Sequence, residues 1–147
     1  MREILFRGKR ADNGEWIYGY YEKYNGGSYI NLQTDRLNSG GYPIREFIEV
    51  IPETVGQYTG LTTRNGNMMI FEGDIVKEEY EVFVSARAKE KRVKIGYVEY
   101  DSNSLCCGYY AYFWNDKEKW RGNFAIHCGC KVIGNIHDNP ELLKGAD

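Results

Sequence analysis

The stretch Ile70-Phe-Glu-Gly-Asp-Ile-Val-Lys-Glu-Glu-Tyr-Glu-Val-Phe-Val84 decides how this chain is read. Two apolar runs flank Glu72-Gly73-Asp74, with no polar insert of loop length between them. Residues i and i+2 of an extended segment share a face, so Glu72 and Asp74 could form a catalytic or metal-binding carboxylate pair. No third ligand accompanies them, such as a His-x-His or a spaced Asp. The preferred reading is a sharp turn. Gly73 admits a positive φ, and Asp74 can accept a hydrogen bond from a neighbouring backbone N–H. The carboxylates then sit where a strand is re-aimed, at the mouth of a small β-barrel.

Met68 to Phe71 reads as a strand before the turn and Ile75 to Val84 as a long strand after it. Asn65-Gly66 marks a hairpin upstream, because a type I′ turn needs positive φ at both central residues. Ser85 to Arg92 reads as a charged loop. Val93, Ile95 and Tyr97 then alternate with Lys94, Gly96 and Val98 in the next strand, which turns at Asp101 to Ser104. Residues 105–114 (LCCGYYAYFW), Trp120 to Ile126 and Cys130 to Ile136 complete the strands.

The N-terminal half has the same character. Glu3 to Arg7 and the alternating segment 15–21 (EWIYGYY) form a hairpin about Asp12-Asn13-Gly14. A second turn lies at Asn25 to Ser28, followed by a short strand from Tyr29 to Leu32 and a loop at Asn38 to Gly41. Ile44 to Ile51 alternates as a strand, with helix as the alternative, and Pro52 ends either one. Thr54 to Thr59 is a further strand. At the C-terminal end Asn139 is placed as a helix N-cap and Pro140 at the first helical position, so Leu142 and Leu143 cap the barrel.

The composition agrees. Aromatic residues are 15% of the 147, with thirteen Tyr, and seventeen Gly stand against three Pro. Tyr and β-branched residues suit pleated strands, and the glycines suit tight turns. The expectation is a mainly β fold: one domain over 1–147, with a seam near Pro52 between an N-terminal β-hairpin region (1–52) and a barrel (53–147). A hydrophobic fraction of 42% and a mean hydropathy of −0.59 describe a folded globular chain. A net charge of −2 supplies no general attraction to nucleic acid or acidic membranes. No apolar run approaches the ~18 residues of a membrane span, and the charged start MREILFRGKR lacks a signal-peptide core, so a cytoplasmic location is expected.

Four segments carry a resemblance. They are residues 1–21 (MREILFRGKRADNGEWIYGYY), 50–61 (VIPETVGQYTGL), the Asn65-Gly66 turn with 70–76 (IFEGDIV), and 132–143 (VIGNIHDNPELL). Together and in this order they resemble the YopX family of phage and prophage proteins. The resemblance implies an SH3-like or related barrel encoded by a phage or prophage; it implies no activity. The turn Thr62 to Asn67 and the pair Met68-Met69 depart from the family's usual acidic and polar residues, and 77–120 lies outside the shared motifs.

No catalytic residues and no cofactor emerge. Cys106, Cys107, Cys128 and Cys130 do not form two C-x-x-C pairs, so reduced, buried thiols are preferred to a zinc site. His127 adjoins Cys128, but adjacent strand residues point apart, which argues against a nucleophile pair. His137 leads into the C-terminal cap. Gly26-Gly27 and Gly40-Gly41 lack the context of a phosphate loop.

The strongest charge feature is Arg87, Lys89, Lys91, Arg92 and Lys94, opposed within the segment by Glu90. Beside tyrosine-rich strands, such a loop suits single-stranded nucleic acid. The plainer reading is a solvated loop whose lysines are neutralised across strands by Glu78, Glu79 and Glu81. The remaining aromatics exceed what a small barrel can bury, which points to a contact with a protein partner or a second copy. An interaction module is therefore the leading expectation. A nucleic-acid binder is second and a small metal-dependent hydrolase third.

Overall fold

The computed structural model describes residues 3–63, 66, 68–102, 108–114, 119–122 and 130–144. It is mainly β, with two antiparallel sheets. Among the described residues neither sheet closes on itself, so the expected barrel is replaced by two open sheets. The chain divides into two compact units, Met1–Gly60 and Leu61–Asp147. No helix of the described residues is long and apolar enough to cross a membrane.

In the first unit, β1 (Phe6–Lys9) pairs antiparallel with β2 (Trp16–Tyr24), in the register Phe6↔Gly19 to Lys9↔Trp16. The turn between them is held by Arg10 and Glu15 backbone bonds, and by Asn13 Oδ1 accepting from the Glu15 N–H at 2.9 Å. β2 continues into β3 (Gly27–Leu37) through Asn25 and Gly26 alone, whose φ values are 47° and 81°. Positive φ at both positions is what a two-residue type I′ turn requires. The chain therefore re-enters a strand at Gly27, two residues earlier than the sequence suggests. β3 is also much longer than Tyr29 to Leu32, because β4 (Pro43–Glu49) pairs along it from Tyr29↔Glu49 to Leu37↔Pro43.

Pro52–Thr54 is a 3₁₀ turn rather than the start of a strand. Thr54 Oγ1 accepts the Lys9 N–H at 2.9 Å and donates to the Ile51 carbonyl at 2.7 Å, fastening this turn to β1. β5 (Gly56–Thr62) follows and pairs with β1 at Phe6↔Gln57. Phe6, Tyr21, Ile30, Ile48 and Val50 share one face of this sheet. Ile30 is 0% and Val50 1% exposed.

β6 (Met69–Phe71) precedes the acidic triplet, and the six-stranded sheet has the order β4-β3-β2-β1-β5-β6. The second sheet has the order β10-β9-β8-β7-β11. Its members are β7 (Asp74–Ser85), β8 (Ala88–Asp101), β9 (Gly108–Trp114), β10 (Lys119–Gly122) and β11 (Lys131–Asn135). Ile70, Val76, Val98, Ala111, Phe113 and Cys130 form the buried core of this unit, with Leu61, Tyr109 and Val132 against it. Gly96 has no room for a side chain, since a Cβ there would lie 2.2 Å from the Tyr112 carbonyl oxygen.

The C-terminal helix is a single 3₁₀ turn, Pro140–Leu143. Asn139 precedes it but makes no side-chain cap. Asn135 does the local work: its Oδ1 accepts from the His137 and Asp138 N–H groups at 3.0 and 2.9 Å. Asn139 Oδ1 instead faces back to the Asn135 N–H at 3.4 Å, over Gly134, where a Cβ would come within 2.5 Å of it.

Candidate functional site

The acidic triplet joins β6 to β7. Gly73 has φ +84°; its N–H donates to the Val98 carbonyl at 2.8 Å and its carbonyl accepts from the Ile136 N–H at 2.9 Å. Asp74 is 2% exposed, and its Oδ2 accepts the Phe71 N–H at 2.8 Å. That carboxylate closes a three-residue backbone turn, the chemistry expected of a short acceptor side chain beside a left-handed glycine. Among the described residues no group of three His, Cys, Asp or Glu is disposed to hold a metal ion. Asn65 lies outside the described residues; Gly66 has φ +71°.

The basic segment is not a loop. β7 and β8 pair continuously from Ile75↔Tyr97 to Phe83↔Lys89, then Ser85↔Ala88, so the turn contains only Ala86 and Arg87. Among the described residues β11 accompanies β7 as far as Lys77, and β9 accompanies β8 from Gly96. Beyond those points the hairpin extends, among the described residues, as an arm of two strands. Its outer eight residues per strand span roughly 26 Å at about 3.3 Å per residue. Lys89, Lys91, Arg92 and Lys94 lie on one of its strands and Glu78, Glu79 and Glu81 on the other.

Cross-strand pairing follows from that register. Lys94 Nζ meets Glu78 Oε2 at 2.7 Å at the base of the arm, and Lys89 meets Glu81 at 3.1 Å. Arg92 and Glu90 pair at 3.3 Å along the strand. Lys94 also stands over the Phe113 and Tyr80 rings at 4.6 and 5.4 Å, and Lys89 over Phe83 at 5.0 Å. Arg87 and Lys91 have no ion pair among the described residues. The tyrosines expected beside this segment pack on one another: Tyr97 on Tyr112 at 5.8 Å and Tyr100 on Tyr109 at 5.2 Å. Cys130 is buried in the core; Cys106, Cys107, Cys128 and His127 lie outside the described residues.

A second surface lies on the first sheet. Its register places Trp16, Tyr18, Tyr20, Glu22 and Tyr24 of β2, Tyr29 of β3 and Phe47 of β4 on the face opposite Ile30 and Ile48. Tyr18 is 47%, Tyr20 60%, Tyr24 66% and Phe47 58% exposed. Nearer β1 the same face carries Arg7 and Lys9, at 4.8 and 5.6 Å from the Trp16 ring. Glu22, Tyr24, Tyr29 and Phe47 bound an apolar concavity of about 440 Å³. The alternation of Trp16, Tyr18 and Tyr20 is legible on β2. Phe47 joins them only through the β3–β4 register, which nothing local in the sequence announces.

The matching family model, described as YopX protein, covers residues 5–144. A search of curated proteins finds no match to the chain. Nearly the whole chain is covered, including the β7–β8 arm that the shared motifs leave out, so this protein belongs to the YopX family.

Proposed function

We propose that this protein is a phage- or prophage-encoded accessory module of the bacterial cytoplasm, which acts by binding a protein partner or a second copy of itself. The observation that carries this reading is the outer face of β2–β4, where Tyr18, Tyr20, Tyr24 and Phe47 are about half or more exposed side by side. Scattered single apolar residues are ordinary on a surface, whereas adjacent large aromatics are the composition of an interface core. Tyrosine adds contact area at a low cost in side-chain entropy.

A nucleic-acid interface built on Arg87, Lys89, Lys91, Arg92 and Lys94 is the weaker reading. Phosphate binding draws on cations whose counterions can be released. Here Lys89, Arg92 and Lys94 already face carboxylates. A hydrolase centred on Glu72 and Asp74 is weaker still, because the Asp74 carboxylate is buried and bonded to backbone.

Light scattering over a wide concentration range, alongside capture of host proteins from induced cells, tests the reading. The wild-type chain self-associates or retains a partner, and Tyr18→Glu/Tyr20→Glu loses that association while staying folded. A chain that is monomeric throughout and captures the same proteins as the double variant overturns it.

A further inference from the structure

We propose that the concavity bounded by Glu22, Tyr24, Tyr29 and Phe47 is a cage for a guanidinium group, the side chain of an arginine presented by a protein partner. This rests on the interaction reading above and specifies what one part of that face recognises. Three aromatic rings and one carboxylate line a single apolar space of about 440 Å³. Ring faces attract cations through their quadrupole, and a carboxylate adds a directional acceptor. A planar guanidinium uses both, since it stacks on rings while offering parallel N–H donors to the carboxylate. An ammonium also sits over a ring face, as Lys94 does over Phe113, but it has neither a plane to stack nor a parallel pair of donors.

The backbone sets these groups in place. Glu22 stands directly opposite Tyr29, and Tyr24 opposite Gly27, across the β2–β3 pair. Phe47 stands opposite Asn31, two residues along the same face from Tyr29. The Tyr29 ring lies across Gly27: a Cβ on Gly27 would come within 2.7 Å of its Cε2 and hydroxyl oxygen. The missing side chain at Gly27 thus lets this ring lie along the sheet as a floor, with Tyr24 and Phe47 beside it.

Among the described residues Glu22 has no ion pair, and no lysine or arginine stands over Tyr24, Tyr29 or Phe47. Elsewhere the protein fills such places itself, with Arg7 and Lys9 over Trp16, Lys94 over Tyr80 and Lys89 over Phe83. A ring cluster with a carboxylate and no internal cation is complementary to a cation from outside.

Amide NMR titration with a blocked arginine amide tests the assignment, using blocked citrulline amide, blocked lysine amide and tetramethylammonium as comparators. Citrulline keeps the planar shape and removes the charge. The expected result is a saturable shift confined to residues 20–31 and 45–49, with arginine about tenfold or more tighter than citrulline, roughly 1.4 kcal/mol, and tighter than lysine. Glu22→Gln and Tyr24→Ala each weaken arginine several-fold. Gly27→Ala, which displaces the Tyr29 ring while keeping every charge and ring, does the same in a folded protein. Equal binding of citrulline, shifts elsewhere in the chain, or no saturable shift overturns the cage. Preference for tetramethylammonium or lysine overturns the guanidinium assignment. Because the small probe needs no partner, this outcome is read independently of the Tyr18→Glu/Tyr20→Glu experiment.

Discussion

Removing the Lys94 ammonium while leaving Glu78 in place is the sharpest test of how the arm is anchored. The two charged groups are 2.7 Å apart, with side chains only 16% and 11% exposed, and the Lys94 Nζ also lies over Phe113 and Tyr80. A fully exposed ion pair contributes at most about 1 kcal/mol. Breaking a buried pair by deleting one member costs about 3–5 kcal/mol, because the surviving charge stays desolvated. With exposures this low the expected cost of Lys94→Met is about 2–3 kcal/mol, nearer the buried limit but discounted for residual solvent. For a chain of this size that corresponds to a fall in Tm of roughly 5–10 °C. Glu78→Gln/Lys94→Met removes both charges and keeps similar volumes, so it recovers about 1.5–2 kcal/mol of the loss, and the coupling exceeds that recovery by whatever Glu78→Gln costs alone. Urea unfolding of the wild type, both single variants and the double variant measures it. A loss below about 0.5 kcal/mol for Lys94→Met, or strict additivity of the two changes, refutes the assignment of this pair as a buried anchor.

The turn at Gly73 and Asp74 yields a graded series in the same assay. Asp74→Ala strands the buried Phe71 N–H and costs about 1–3 kcal/mol, Asp74→Asn keeps an acceptor oxygen and costs less, and Gly73→Ala costs about 1–2 kcal/mol for its left-handed φ. Gly96→Ala drives a Cβ into the Tyr112 carbonyl and destabilises by about 3 kcal/mol or more, against little effect of Gly14→Asn, whose φ of +73° an Asn tolerates and whose Cβ meets nothing within 4 Å. Asp12 titrates below the usual aspartate range because the Arg10 guanidinium bonds it through both oxygens, at 2.9 and 2.6 Å. The depressed pKa means this contact is intact above the ordinary aspartate pKa and is lost as pH falls through the lowered one. NMR titration of Asp12 shows its pKa returning toward the ordinary value in Arg10→Gln.

The strand content was legible because strand signals are local. Alternation with period two and the residues that permit positive φ are properties of a few neighbouring positions. Asp12 to Gly14, Asn25-Gly26 and Glu72-Gly73-Asp74 all turn the chain where the sequence places a turn. The structure departs from the local pattern where a segment's state depends on a distant partner. Residues 88–92 look like a charged loop by composition, yet they continue β8 because Tyr80 to Phe83 offer a complementary strand and Glu78 and Glu81 supply the opposing charge. Asn139 looks like an N-cap, yet the nearby Asn135 already holds the turn.

Local sequence was enough to make the chain β, to bend its strands where they bend, and to mark its family. Long-range pairing fixed the rest: two sheets that stay open among the described residues, a basic run built into one strand of an arm, and a concavity shared by Glu22, Tyr24, Tyr29 and Phe47. Backbone conformation is chosen by near neighbours, whereas register is chosen by pairing between segments far apart in the chain. A shift of one residue in the β3–β4 register would turn Phe47 to the opposite face and leave the cage without a wall.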